Sequence, residues 1–502
     1  MMTRREALLA ATALLAAACG APRGPRADTG STLASTWSDP QGTGLLAPAA
    51  GEPLVDRTEL GPATRATGVI ATLAHLTDAH VLDASSPARV PFLDRLGAPF
   101  QSTFRPQETL TAHVLAGALP AVNRLRPDAV IQGGDLIDNA QDNELRLALA
   151  ALRGGRVTQP PYYGVQLAAN PDPFYYRPDL DAPRHPGLLT RATRTFTSAG
   201  LEHRPTYHVL GDHDILVQGE LAPTALTRRL ATGDEALWEL PPGLALPPGL
   251  ALPPGRALPP GLALPPGLAL PPGAAQAISP DGPPDPRLVH DFLAQALAGP
   301  KTKVPASPAR RELAAAEVAR RLGATARATL DYHVDVNRSL RLIVLDLARR
   351  GGGSGGLVRP DHAAFLARAL QTDRWVITIS HQPLTGSEGG DRILRALDQH
   401  PRMLAALAGH THRNQITPRA TAAGGYWLIN TASLIDYPQQ ARALRVIATR
   451  TGAAIQTWML DHTGSLARVS RQLAYLDAQG GRPYDFAGTR EDRNVTLYRS
   501  SA

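Results

Sequence analysis

A rhythm of short apolar runs, each halted by a cluster of Asp, His and Gly, constrains this chain more than any other feature. Val69-Ile70-Ala71-Thr72-Leu73 runs toward Asp78, and Ala129-Val130-Ile131 runs into Gly134-Asp135. Tyr207-His208-Val209-Leu210 runs into Gly211-Asp212-His213, Trp375-Val376-Ile377-Thr378-Ile379 into His381, and 404–408 into Gly409-His410. Runs of about four to six residues, several of them β-branched, predict buried strands, with one more at 342–345. Helical patterns at 107–125, 142–152, 309–322 and 361–370 lie between them. Strands that alternate with helices predict an α/β layered fold, in which ligands gather at the carboxyl ends of the strands. The polar clusters fall at those ends.

Those clusters supply Asp78, His80, Asp135, Asp212, His213, His381, His410 and His412. Taken singly, a strand-end Asp is an ordinary turn former or helix cap. Taken as a set, five imidazoles and three carboxylates are what two adjacent divalent cations need. Imidazole nitrogen and carboxylate oxygen suit Zn, Mn, Fe or Co, and the cluster holds no cysteine, as a structural zinc site would. Asp78-Ala79-His80 and His410-Thr411-His412 each place two ligands two residues apart, so strand alternation predicts that both members of a pair point the same way. Asp135, after Gly133-Gly134, is the candidate bridge between the cations. Two metals ~3.5–4 Å apart clamp a phosphoryl group and bring a bound water's pKa toward ~7.

In order along the chain, the blocks read Asp78-Ala79-His80, Gly134-Asp135, Gly211-Asp212-His213-Asp214, His381 and Gly409-His410-Thr411-His412. This series resembles the calcineurin-like metallophosphoesterase superfamily over about residues 69–447, leaving out an insertion. The resemblance implies a two-sheet β-sandwich flanked by helices, with an inserted cap region. It implies one metal held by Asp78, His80, Asp135 and His412, and a second held by Asp135, Asp212, His381 and His410. His213 would stand beside the phosphoryl group as the catalytic imidazole, with Asp214 orienting it. The implied activity is hydrolysis of a phosphomonoester or phosphodiester by a metal-bridging hydroxide attacking in line. Ser86-Pro87-Ala88-Arg89-Val90, Thr103-Phe104-Arg105-Pro106-Gln107-Glu108 and Asp138-Asn139-Ala140-Gln141 resemble an exported bacterial subgroup. Two positions depart from related patterns. Asp212 stands where the family has Asn, which adds a negative charge and removes a hydrogen-bond donor. Asp138 stands where purple acid phosphatases have Tyr.

Residues 1–19 have the layout of an export signal: Arg4 and Arg5, an apolar stretch at 7–18, then Cys19, the only cysteine. Thr3-Arg4-Arg5-Glu6-Ala7-Leu8-Leu9 resembles a twin-arginine leader and Ala16-Ala17-Ala18-Cys19 a lipobox, although Ala16 replaces the preferred Leu. A non-lipidated signal is the other reading. The expected location is the outer face of the cytoplasmic membrane, with membrane contact only through the lipid anchor, or else secretion. No apolar run reaches the ~18 residues of a membrane span. The net charge of +7 comes almost wholly from scattered arginines, with Lys301 and Lys303 the only lysines, so no specific nucleic-acid binding is expected. Pro-Pro-Gly recurs at 241, 247, 253, 259, 265 and 271. A six-residue period excludes collagen, so an extended loop without catalytic role is expected at 240–286. The expected organisation is a flexible tether at 20–68, catalytic core at 69–214 and 338–475, a cap at 215–337 and a tail at 476–502. The substrate class is a small-molecule or nucleotide-like phosphoester. The rival reading is a non-catalytic surface lipoprotein that keeps its metal site for stability or ligand binding.

Overall fold

The computed structural model describes residues 25, 28, 30–91, 93, 103–161, 184–237, 239–244, 286–323, 329–477 and 486–501. The expected leader with Cys19 and all of the Pro-Pro-Gly repeat beyond 244 lie outside them. The strands of the two large sheets are β1 (Val55–Leu60), β2 (Ala66–Leu76), β3 (Ala129–Gln132), β4 (Thr206–His208), β5 (Tyr332–Asp335), β6 (Leu340–Leu345) and β7 (Trp375–Ser380). They continue with β8 (Met403–Ala408), β9 (Gln415–Arg419), β10 (Tyr426–Asn430), β11 (Gln440–Thr449), β12 (Gly452–Asp461) and β13 (Val495–Ser500). One sheet has seven strands in the order β1-β13-β12-β11-β2-β3-β4, the other six in the order β5-β6-β7-β8-β10-β9.

The two faces of each strand separate as period-two alternation requires. On β2, Ala71 and Leu73 turn toward the second sheet, where they meet Leu342, Ile377, Trp427 and Ile429 in a buried core. Ala74 and Leu76 turn the other way, under helices Thr111–Leu125 and Asp142–Arg153. Helices Pro360–Ala369 and Gly390–Asp398 cover the outer face of the six-stranded sheet, with Leu366, Ile393 and Leu397 on Ile343, Leu345 and Val376. The result is a helix–sheet–sheet–helix sandwich, as the resemblance implied. Each fully buried Leu or Ile in these layers contributes about 1.5–3 kcal/mol. Helix Asp142–Arg153 carries Asp142 and Glu144 in its first turn, where carboxylates favour the helix dipole, and Gly154 caps it at φ +85°.

Three expected boundaries differ from the structure. The stretch expected as a tether contains β1, which pairs in parallel with β13 and buries Leu60 in the inter-sheet core. The stretch expected as a tail supplies β13 itself, with Val495 and Leu497 in the same core. Both segments mix charged and polar residues into their six positions and so show no apolar run, yet sheet pairing satisfies their backbones. The region expected as a cap ends inside the sandwich, because β5 pairs antiparallel with β6. The rest of the cap has a small core of its own, in which Val217, Leu221, Leu237, Phe292 and Leu297 pack with Val90 and Leu93.

Candidate metal centre

β2, β3 and β4 are parallel in one sheet, and β6, β7, β8 and β10 are parallel in the other. Both sheets therefore deliver carboxyl ends to one edge, and the loops there are knitted together by their backbones. The Asp78 amide donates to the Gly134 carbonyl and the His80 amide to the Asp135 carbonyl, both at 3.0 Å. The Gly409 amide donates to the His381 carbonyl at 3.0 Å, and the His410 amide to Asp78 Oδ1, also at 3.0 Å.

These loops bring the expected ligands together. Asp135, Asp212, His381 and His410 form one group and Asp78, His80 and His412 another, the ligand atoms within each lying no more than 4.8 Å apart. Asp135 also belongs to a third such group with His80 and His213. Asp135 Oδ2 is 3.0 Å from His381 Nε2 and 3.7 Å from His80 Nε2, which puts this carboxylate between the two groups. All eight side chains are buried except His410, which is partly exposed.

The local conformation is not the one that the spacing suggested. Asp78, His80, Asp135, His410 and His412 have φ between 41° and 63°, in the left-handed region. The Asp-x-His and His-x-His pairs thus converge through strained loop residues beyond the strand ends, not through strand alternation. Each such residue costs on the order of 1–3 kcal/mol and persists only where its surroundings enforce it. Gly134, at φ +98°, is required for a second reason: a Cβ there would fall 2.4 Å from His381 Nδ1.

Three of the ligand imidazoles are oriented from behind, whereas His410 turns Nδ1 itself toward Asp212 Oδ1, 3.3 Å away. His80 Nδ1 lies 2.9 Å from Asp138 Oδ1, and His412 Nδ1 lies 2.6 Å from Asp436 Oδ2. His381 Nδ1 donates to the Gly133 carbonyl at 2.9 Å. With Nδ1 so engaged, each ring turns Nε2 to the centre, and the Nε2 atoms of His80 and His412 face one another at 3.2 Å. Gln382 Nε2 donates to Asp212 Oδ1 at 2.8 Å and to the Ser354 carbonyl at 3.0 Å, tying the glycine-rich 351–356 loop to the site.

Asp214 does not orient His213. Its carboxylate accepts the amides of Gly211, Leu136 and Ile137, so it shapes the turn instead. Asp138 takes the expected role, with His213 Nδ1 3.0 Å from its carbonyl and 3.2 Å from Oδ1. The sequence reading singled out Asp138 without its orienting role, and Asp436 and Gln382 went unrecognised. Asp138 had a readable signal, since it shares the Asp135 loop. Asp436 had none, since it follows β10, whose pattern no motif marks.

Electrostatically the centre is short of positive charge. Burial alone would lower His213, but Asp135, Asp138 and Asp212 outweigh it and hold the imidazole well above its ordinary value. His381 is likewise raised against burial by Asp135 and Asp78, and His412 is pushed up to about 9 by Asp78 and Asp436. His80 moves down, through burial and the neighbouring His213. Burial and Asp135 push Asp214 up to about 7. In the metal-free chain, then, protons on imidazoles balance buried carboxylates, which is the task a cation performs in a metal site. Buried His381 Nε2 faces three carboxylates at 3.0–3.8 Å without a hydrogen-bond partner. That orphaned atom, and a donor set made only of imidazoles and carboxylates, fit two divalent cations.

No family model matches the chain, and a comparison with curated proteins finds no match. Among solved structures, a dimetal phosphatase from Danio rerio is similar at 12% identity and a TM-score of 0.37, over 79% of this chain and 97% of that one. A purple acid phosphatase from yellow lupin (Lupinus luteus) seeds is similar at 10% identity and a TM-score of 0.30, over 82% of this chain and 53% of that one. PhoD is similar at 10% identity and a TM-score of 0.28, over 86% of this chain and 79% of that one. Likenesses this loose carry no argument, and the reading of the site rests on its geometry: a motif series resembling that of calcineurin-like metallophosphoesterases is, in space, one buried cluster of ligands.

Proposed function

We propose that the chain is an exported, metal-dependent phosphoesterase acting on a small-molecule or nucleotide-like phosphomonoester or phosphodiester. The observation that carries the reading is the juxtaposition of Asp78–His80–His412 with Asp135–Asp212–His381–His410 in one buried site, His213 beside them. Two divalent cations there (Mn, Fe, Zn or Co) would supply Lewis acidity toward a phosphoryl oxygen and an acidified water. Asp78, His80 and His412 would hold one cation and Asp212, His381 and His410 the other, with the Asp135 carboxylate between them. Asp138 fixes His213 at Nδ1, leaving Nε2 to place a proton on a departing oxygen. Burial of nearly the whole cluster excludes bulk water and strengthens each of these interactions. The leader at 1–19 supports export, with lipidation of Cys19 as its anchor.

A turnover assay with an aryl phosphomonoester and a bis-aryl phosphodiester, with added Mn, Zn or Fe, tests this reading. Chelator-sensitive hydrolysis of either substrate is the expected result. Asp212, a third buried carboxylate in the cluster, favours the rival reading of a surface lipoprotein whose metals serve folding alone. Loss of folding on chelation, without turnover of either substrate, would establish that rival.

A further inference from the structure

The glycine-rich stretch Gly351-Gly352-Gly353-Ser354-Gly355-Gly356 is a motif of the sequence that the proposed chemistry leaves unused. In the structure it runs between the cap and Gln382. At Gly352 a Cβ would fall 2.5 Å from His290 Cδ2, on the cap helix Pro286–Ala296, and at Gly356 one would fall 2.9 Å from Gln382 Cβ. Side chains there would push the layers apart, so glycine lets the stretch pass as a thin strap. The cap grips this strap through Glu220, which lies between the cap-core residues Val217 and Leu221. Its backbone carbonyl accepts the Gly353 amide at 2.8 Å. Its carboxylate accepts Ser354 Oγ on Oε1 at 2.6 Å and the Ser354 amide on Oε2 at 3.2 Å.

Held there, the Ser354 carbonyl accepts Gln382 Nε2 at 3.0 Å, and the same nitrogen donates to Asp212 Oδ1 at 2.8 Å. Both neighbours of that nitrogen are acceptors, so the Gln382 amide has one permitted orientation. Asp212 Oδ1 is also the oxygen that faces His381 Nε2 and His410 Nδ1, each 3.3 Å away. Ser354 and Gln382 are buried, so a partner lost anywhere along this path leaves a polar group unsatisfied. We propose that Glu220 is a positioning residue for the cation held by Asp212, His381 and His410, acting through Ser354 and Gln382. It fixes the strap, the strap fixes the amide, and the amide presents Asp212 Oδ1. His80 and His412, with Nδ1 held by Asp138 and Asp436, stand outside this path. The cap is thereby coupled to one cation of the pair, and the coupling is reciprocal: what Glu220 does for metal affinity, metal binding does for the hold of Glu220 on the strap. The coupling rests on the two-cation reading of the cluster and on no particular substrate.

The test titrates chelator-treated full-length protein with zinc by calorimetry, with His410→Ala marking which class of site belongs to Asp212. Gln382→Met weakens that class about 10–100-fold and Glu220→Ala about fivefold or more, while the other class is unchanged. In the double variant, Glu220→Ala costs less than about twofold beyond Gln382→Met, because the path is already cut. A merely structural Glu220 would lower the melting temperature of the metal-free protein without moving either affinity, or its loss would multiply with that of Gln382→Met. Either result overturns the positioning role, as does equal weakening of both classes. Zinc also slows hydrogen exchange at the Gly353 and Ser354 amides in the parent chain and not in Gln382→Met; equal slowing in both overturns the coupling. If Glu220→Ala fails to fold, Ser354→Ala takes its place in the cycle, with Ser354→Thr as the rescue that keeps the hydroxyl. No substrate enters these measurements, so absent hydrolysis would end the phosphoesterase reading and leave the strap judged on its own results.

Discussion

Replacing Asp436 by Asn isolates what a residue that touches no expected cation does for the centre. Asp436 is wholly buried; its Oδ2 receives His412 Nδ1 at 2.6 Å and its Oδ1 receives Arg105 Nε at 2.9 Å. Both neighbours donate, and a carboxylate satisfies both. An asparagine cannot, because one of its two terminal atoms is itself a donor. With its oxygen kept for Arg105, the amide nitrogen faces His412, and the imidazole must move its proton to Nε2. That proton then points at Asp78 Oδ1, 3.3 Å away, where the lone pair for a cation is needed. Loss of such an orienting partner costs 10–100-fold in metal affinity, or about 1.4–2.7 kcal/mol.

The effect should fall on one cation and spare the other, because His381 is oriented by the Gly133 carbonyl and has no bond to Asp436. Isothermal titration of chelator-treated protein with zinc or manganese should therefore show two classes of site, with one weakened in Asp436→Asn and the other unchanged. Asp436→Asn also takes the anionic partner from buried Arg105, so the metal-free variant should melt below the parent, and the contrast between the two sites is the readout. An isotherm that superimposes on the parent's would refute the reasoning, and uniform weakening of both sites would refute its assignment to His412.

Asp138→Asn should lower kcat by ~10²–10⁴, since it disturbs the Nδ1 partners of both His213 and His80, and should weaken metal binding less than removing His80 does. Cation affinity should rise with pH: His412, pushed up to about 9, carries a proton at pH 7 that the metal displaces, so affinity should gain up to ~10-fold per pH unit between 7 and 8, with proton release seen in buffers of differing ionisation heat. His75 is held down to about 3 by burial and by Arg442. Below its ordinary value of about 6.5 the unfolded chain binds a proton that the folded chain refuses, so stability is full above that pH and falls by up to ~1.4 kcal/mol per unit toward pH 3. Urea unfolding of metal-free His75→Gln should lack this share of the acid slope. Trp427→Ala, in the inter-sheet core, should cost about 3–5 kcal/mol by the same measurement.

The ligands were legible because their chemistry is local: an apolar run buries itself, and the first Asp or His beyond it must find a partner. The strands at 69–73, 129–131 and 375–379 lie within β2, β3 and β7 for that reason. Their orientation was not legible. Left-handed φ at Asp78 or His412 is imposed by bonds across loops, such as that between the His80 amide and the Asp135 carbonyl; Asp and His tolerate that region better than most residues, but their presence alone does not specify it. Asp436 and Gln382 act only through partners remote in the chain. β1 and β13 were hidden for a related reason, since each gains its place by pairing with the other across the whole length of the domain.

Strain and charge in this centre form one problem. Several left-handed residues at 1–3 kcal/mol apiece approach the whole net stability of a domain, about 5–15 kcal/mol. The buried carboxylates add to that cost whenever protons alone balance them. The scaffold offsets it by fixing the loops from both sides: parallel strands of two sheets end within hydrogen-bonding reach of one another, and their shared core locks the sheets in register. A cation binding only the folded form adds RT ln(1 + [L]/Kd), about 2.7 kcal/mol at a hundred times Kd. Loops held this way cannot relax toward an ordinary backbone without separating the sheets, so the geometry that makes the ligands converge is maintained by residues far from any ligand.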